Sequence, residues 1–139
     1  MTTRRELILA RLKTNLDAIT GATVYRNRVE PLARGEVPAV IVEPISDEPI
    51  EEFSSTLQWT FRVRVTVLVR ANAPGNAADA YVKQVHDAVM SDTTVNGYAL
   101  DIDPATTDFS FFDADVPVGI IAMDYLVKYR TSRVDLTSA

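Results

Sequence analysis

One run of the chain, TLQWTFRVRVTVLVR at positions 56–70, alternates so strictly that it limits the possible folds more than any other feature. Leu57, Trp59, Phe61, Val63, Val65, Val67 and Val69 share one parity, and Thr56, Gln58, Thr60, Arg62, Arg64, Thr66, Leu68 and Arg70 share the other. Successive strand side chains point to opposite faces, so the run reads as one long β-strand with an apolar face and an arginine-bearing face. At about 3.3 Å per residue it spans roughly 50 Å, well beyond an ordinary strand. The segment VPVGIIAMDYLVKYRTS repeats the design, with Ile121, Met123, Tyr125, Val127 and Tyr129 on one parity and Asp124, Lys128 and Arg130 on the other.

The remaining elements follow from shorter signals. Residues 3–19 predict an amphipathic helix: Thr3 and Glu6 match a capping box, and Leu9, Leu12, Leu16 and Ile19 recur at helical spacing. A short strand, TVYRNRV, precedes the loop-like PLARGEVP, and AVIVEPI reads as a compact strand. PISDEPIEEFSS, with two prolines and four acidic residues, predicts a mobile loop or the tip of a hairpin. Asn76 is placed to cap a second helix, whose buried stripe is Tyr81, Val82, Val85, Ala88 and Val89. Asn96-Gly97 is a tight-turn signal of the kind that joins hairpin strands. YALDID and DFSFFDA then predict two short strands, and DLTSA a frayed tail. Two helices can cover one face of such a sheet, so the expected class is α+β, a mainly antiparallel sheet with two helices packed on one face. The 139 residues suit a single domain over 1–139, with a flexible tail from about 133.

Chemistry is sparse. With no cysteine, the chain has no disulfide, thiolate-metal site or thiol nucleophile. A net charge of −5 opposes a primary role in gripping nucleic acid or an anionic membrane, both of which need a basic footprint. The N-terminal apolar run is interrupted by Arg11 and Lys13 before it could form a signal core, and no segment has the ~20 apolar residues of a membrane span, so a soluble protein made in the cytoplasm is expected. His86 falls beside the apolar stripe of the second helix and reads as a boundary residue rather than a catalytic one. Asp101, Asp103 and Asp108 lack the glycine and terminal glutamate of a calcium loop. No nucleotide-binding, serine-hydrolase or metalloprotease motif is present, and neither enzyme activity nor a cofactor is expected. Surplus strand length exposes apolar side chains and unpaired edges, which a partner subunit would cover.

Taken in order, RRELILARL, VYRNRVEPL, VPAVIVEP before an acidic segment, WTFRVRVTVLVRA, AYVKQVHDAVMSD with NGYALDI, and MDYLVKYRTS resemble the phage tail terminator family over about 4–132. The resemblance implies a virion protein, assembled in the host cytoplasm, that forms a homo-oligomer, a hexameric ring, on the completed tail tube. There it would stop polymerisation and offer a docking surface to the head-completion protein, with DNA passing through without specific binding. Exposure logic nominates as contacts Arg62, Arg64 and Arg70 on the long strand, Glu51, Glu52 and Phe53 in the acidic segment, and Arg26 and Arg28 in YRNRV. Two other readings are a head–tail connector of similar build, and a small ligand-binding domain or enzyme centred on His86, Asp87 and Lys83.

Overall fold

The computed structural model describes residues 2–26, 37–53 and 55–137, with backbone alone at 51–53. Its elements run α1 (Arg4–Leu16), β1 (Thr23–Arg26), β2 (Ala39–Phe53), β3 (Thr56–Arg70), α2 (Pro74–Met90), β4 (Asp101–Phe112) and β5 (Val118–Ser132). The strands form one sheet in the order β1-β2-β3-β5-β4, antiparallel except where β1 runs parallel to β2. Both helices pack on one face, giving the expected α+β architecture. The strict alternation of β3 is the reason: Phe61, Val63, Val65, Val67 and Val69 are all buried under the helices, joined by Ile121, Met123, Tyr125, Val127 and Tyr129 of β5. From the helix side, α1 contributes Ile8, Leu9, Leu12 and Leu16, and α2 contributes Ala78, Val85 and Val89.

Thr3 caps α1 as its sequence implies, its hydroxyl oxygen accepting from the Glu6 N–H at 3.2 Å. At α2 the expected Asn76 cap is replaced by Ala73, with Pro74 as the first helical residue. Proline fits that position because its fixed φ suits the first turn, and the N–H it lacks would have had no partner in the helix. Residues 44–53 are not a loop but the arm of β2 that runs to the end of the antiparallel β2–β3 hairpin, as the second alternative had it, paired with β3 through a register shift between Pro44 and Ser46. Their prolines are tolerated because, among the described residues, β1 pairs only with Ala39–Val42 and this part of β2 lies at a sheet edge. The two short strands expected over 98–114 are one strand, β4, with a bulge between Pro104 and Thr107. Asn96-Gly97 joins α2 to β4 instead of making a hairpin; Val95, Asn96 and Gly97 all take positive φ. The segment after β5 is tied to the β2–β3 connection and to the start of α1. The Arg133 N–H donates to the Ser55 carbonyl at 2.9 Å, and the Arg4 N–H donates to the Leu136 carbonyl at 2.9 Å.

β2, β3 and β5 have fifteen residues each, while α1 has 13 and α2 has 17. At 1.5 Å per helical residue the helices are about 20 and about 26 Å long, against roughly 50 Å for the strands. The helix layer therefore stops short of the sheet, and among the described residues no second layer covers the opposite face. On that open face lie half-buried Ile41, Leu68, Ile120, Ala122 and Leu126.

The sheet also fixes one close approach. A Cβ built on Gly119 of β5 would stand 2.9 Å from Pro74 Cβ and 3.2 Å from Val69 Cγ2. The proline ring has little room to yield, so Gly119→Ala is expected to lower stability by about 1–3 kcal/mol, read by urea denaturation.

Candidate functional site: the open sheet face and the projecting arm

Two charged clusters dominate the sheet. The first lies on the open face, where β3 and β5 pair Arg64 with Asp124 and Arg62 with Leu126. Arg62 Nη1 donates to Asp124 Oδ2 at 2.8 Å, and Arg64 donates through Nε to Oδ1 at 2.8 Å and through Nη2 to Oδ2 at 3.2 Å. The Asp124 side chain is only 4% exposed, whereas both arginine side chains are 34% exposed. Burial by itself would push the Asp124 carboxyl upward; hydrogen bonds from Arg64 and Arg62 outweigh it and hold the group below the ordinary carboxylate range. The two arginines expected to face outward thus spend part of their hydrogen-bonding capacity inside the subunit. Beside them, Ser46, Glu48, Thr60, Arg62 and Leu126 line a shallow cleft of about 200 Å³.

The second cluster pins the arm on the helix side. Asp47 of β2 accepts from Arg5 Nε at 2.7 Å and from the Tyr129 hydroxyl. Its other oxygen, Oδ1, is buried without a hydrogen-bond partner among the described residues. Arg5 also lies over the Trp59 ring, 5.6 Å from its centroid, and Trp59 stacks on Tyr129 at 6.2 Å. The indole N–H donates to Thr131 Oγ1 at 2.8 Å. Burial, reinforced by Asp47, raises the Tyr129 hydroxyl well above the usual tyrosine value, so it remains a hydrogen-bond donor.

Other nominated contacts are placed as follows. Arg26 grips Glu6 with both Nη atoms, one of them at 2.7 Å, tying β1 to α1. That hydrogen bonding is the largest influence on Glu6 and lowers its pKa. Arg70 ends β3 on the open-face parity, opposite Val118. Arg28 and the side chains of Glu51, Glu52 and Phe53 lie outside the described residues. The structure brings Arg62 and Arg64 together on the central strand, while Arg26 sits two strands away on β1, at one end of the sheet order beside α1. Sequence reasoning missed Asp124 and Asp47 as the residues that organise the two clusters. A lone acid inside GIIAMDYLV was the available signal for Asp124.

No protein-family model matches the chain, and no curated protein matches it. His86 is exposed on α2, its Nδ1 3.1 Å from the Tyr125 hydroxyl. Lys83 and Asp87 pair with each other along the helix at 2.6 Å. A shallow depression of about 300 Å³ near Asp87 is lined also by Ala18, Ile19, Gln84 and Ala88. Among the described residues no group of three or more His, Cys, Asp or Glu side chains could hold a metal ion, and no helix is long and apolar enough to cross a membrane.

The lowered carboxyls carry a pH dependence of defined sign. Asp124 and Glu6 have folded-state pKa values below their unfolded ones, so their contribution is present above the unfolded values, about 3.9 and 4.3, and is lost as pH falls through the folded values. Stability measured in urea is therefore expected to change little on their account between pH 7 and pH 5 and to drop below about pH 4. Asp124→Asn should remove part of that acid dependence; an unchanged acid limb in the variant would contradict the assignment.

Proposed function

We propose that this chain is a ring-forming phage tail terminator, which caps the completed tail tube, stops its polymerisation and presents a docking surface to the head-completion protein. The observation that supports it best is the open sheet face: three fifteen-residue strands outrun their helices and leave half-buried aliphatic side chains around the Arg62–Asp124–Arg64 cluster. Such a surface suits a neighbour of the same kind, because head-to-tail contacts that close by rotation make a ring from one repeated interface. The ordered resemblance of its segments to tail terminators favours the tube end as its place. No reaction is involved. Several weak contacts made together to a tube of matching symmetry add into a firm cap, which is avidity at high effective concentration.

A head–tail connector shares the same physics, and genetics separates the two. In the phage encoding this chain, deletion of its gene is expected to give overlong tail tubes. Tails of normal length, unattached to heads, would instead assign the protein to the connector.

A further inference from the structure

We infer that residues 107–112 of β4 form a docking edge for an extended, cationic segment of a different protein, added to the sheet beside β4. β4 ends the sheet order, and among the described residues no strand pairs with its outer edge. An open edge offers a row of backbone donors and acceptors, and proteins normally guard it with proline, lysine or a bulge. Pro104 and the bulge between Pro104 and Thr107 guard the first half of β4. Nothing comparable guards the second half, where the register with β5 runs without interruption from Thr107 to Phe112.

The side chains on this edge say what would fit. Phe109 and Phe111 project on the helix side, opposite Ile121 and Gly119, and are 63% and 53% exposed. They stay exposed because α2 packs over β3 and β5, and the helix layer does not reach the end of the sheet. Phe111 lies against the start of α2, near Gly75, which gives this aromatic a fixed position. On the opposite face of the strand, Asp108 shares the 107–112 stretch with Phe112, which is 54% exposed, while Asp101 and Asp103 lie on that face before the bulge, Asp103 3.4 Å from Lys128. From 99 to 117 the sequence carries five aspartates and no lysine or arginine.

A strand added here would present one side to Phe109 and Phe111 and the other to Asp108 and Phe112, with Asp113 and Asp115 just beyond its end. It should therefore alternate apolar residues with lysine or arginine. Main-chain hydrogen bonds would supply affinity, and the alternating side chains specificity. A second copy of this chain fits poorly. A β4–β4 pairing would join two segments that carry aspartates and no lysine or arginine, and the edge of β2 that is unpaired among the described residues carries Glu43 and Glu48. Like charges across a strand pair repel. Charge complementarity thus selects a basic strand from another protein.

The test uses an N-terminally labelled nonapeptide alternating lysine with valine, titrated with the full chain and followed by fluorescence anisotropy. Two control peptides carry glutamate in place of lysine, or the lysine sequence with alternate backbone amides N-methylated. The lysine peptide is expected to bind and to protect amides of 107–112 from hydrogen exchange, with each control at least about tenfold weaker. Asp108→Lys should weaken binding by about tenfold or more, whereas Asp17→Lys, the same charge change just past the end of α1, should not. Phe109→Ser should weaken it as well. Equal binding of all three peptides, equal loss with Asp17→Lys, protection outside β4, or no binding would each overturn the proposal. Concentration-dependent protection of 107–112 in the protein alone would assign the edge to a second copy and overturn it too. None of these outcomes depends on tail-tube capping, so that reading stands or falls separately.

Discussion

Replacing Arg62 and Arg64 together by glutamate is expected to destabilise the subunit by about 3–5 kcal/mol, because it strands the buried Asp124 carboxylate between two like charges. Asp124 is too buried for water to take over the lost hydrogen bonds, and burial and the two like charges would both push its carboxyl upward. The loss is far larger than an exposed ion pair would give, which is about 0–1 kcal/mol. The reverse change should be milder. Asp124→Ala frees two arginines that are a third exposed and can rehydrate, so about 1–2 kcal/mol is expected. Replacing all three residues by apolar ones of similar size should be close to neutral, since pair and desolvation cost disappear together. Urea denaturation of the double, single and triple variants checks this order. A double reversal that unfolds like the parent would show that Asp124 does not depend on its arginines. The same result bears on assembly experiments: a charge-reversed variant must be shown to be folded before its failure to assemble can be assigned to a contact.

Asp47→Ala is expected to cost about 2–4 kcal/mol and to loosen the arm selectively. The substitution leaves the Tyr129 hydroxyl, on a side chain 1% exposed, without its acceptor, and releases Arg5 from between Asp47 and Trp59. Hydrogen exchange should quicken at the ends of β2, β3 and β5 while the centre of β3, under α2, keeps most of its protection. Tyr129→Phe retains the ring and the Arg5–Asp47 pair, so a smaller loss of about 1 kcal/mol is expected. Uniform acceleration across the whole sheet in Asp47→Ala would mean that the arm has no stability of its own to lose.

How much of this was legible in the sequence depended on whether the deciding interaction was local. The parity of β3 and β5 is set by neighbouring residues, and every buried position from Phe61 to Val69 follows from it. The Thr3 cap and the α1 stripe are local in the same way. The arm of β2 was hidden because Pro44 and Pro49 carry a loop signal along the chain, and only the edge position of that strand makes them acceptable. The bulge in β4 disguised one strand as two. Arg62 and Arg64 looked outward because their face was readable while their partner was not. Asp124 is 60 residues from Arg64, and only the order β3-β5 and its register bring them together. Asp47 and Tyr129 are 82 residues apart and meet for the same reason.

The central claim concerns what the open face and the long strands are for. Its most direct test is electron microscopy of tail tubes, polymerised from the tube protein of the phage that encodes this chain, with and without the protein present. The account predicts a six-fold ring at one end of each capped tube and no further growth from that end. Tubes that keep growing, with the protein dispersed as monomers and bound to neither end, would contradict it.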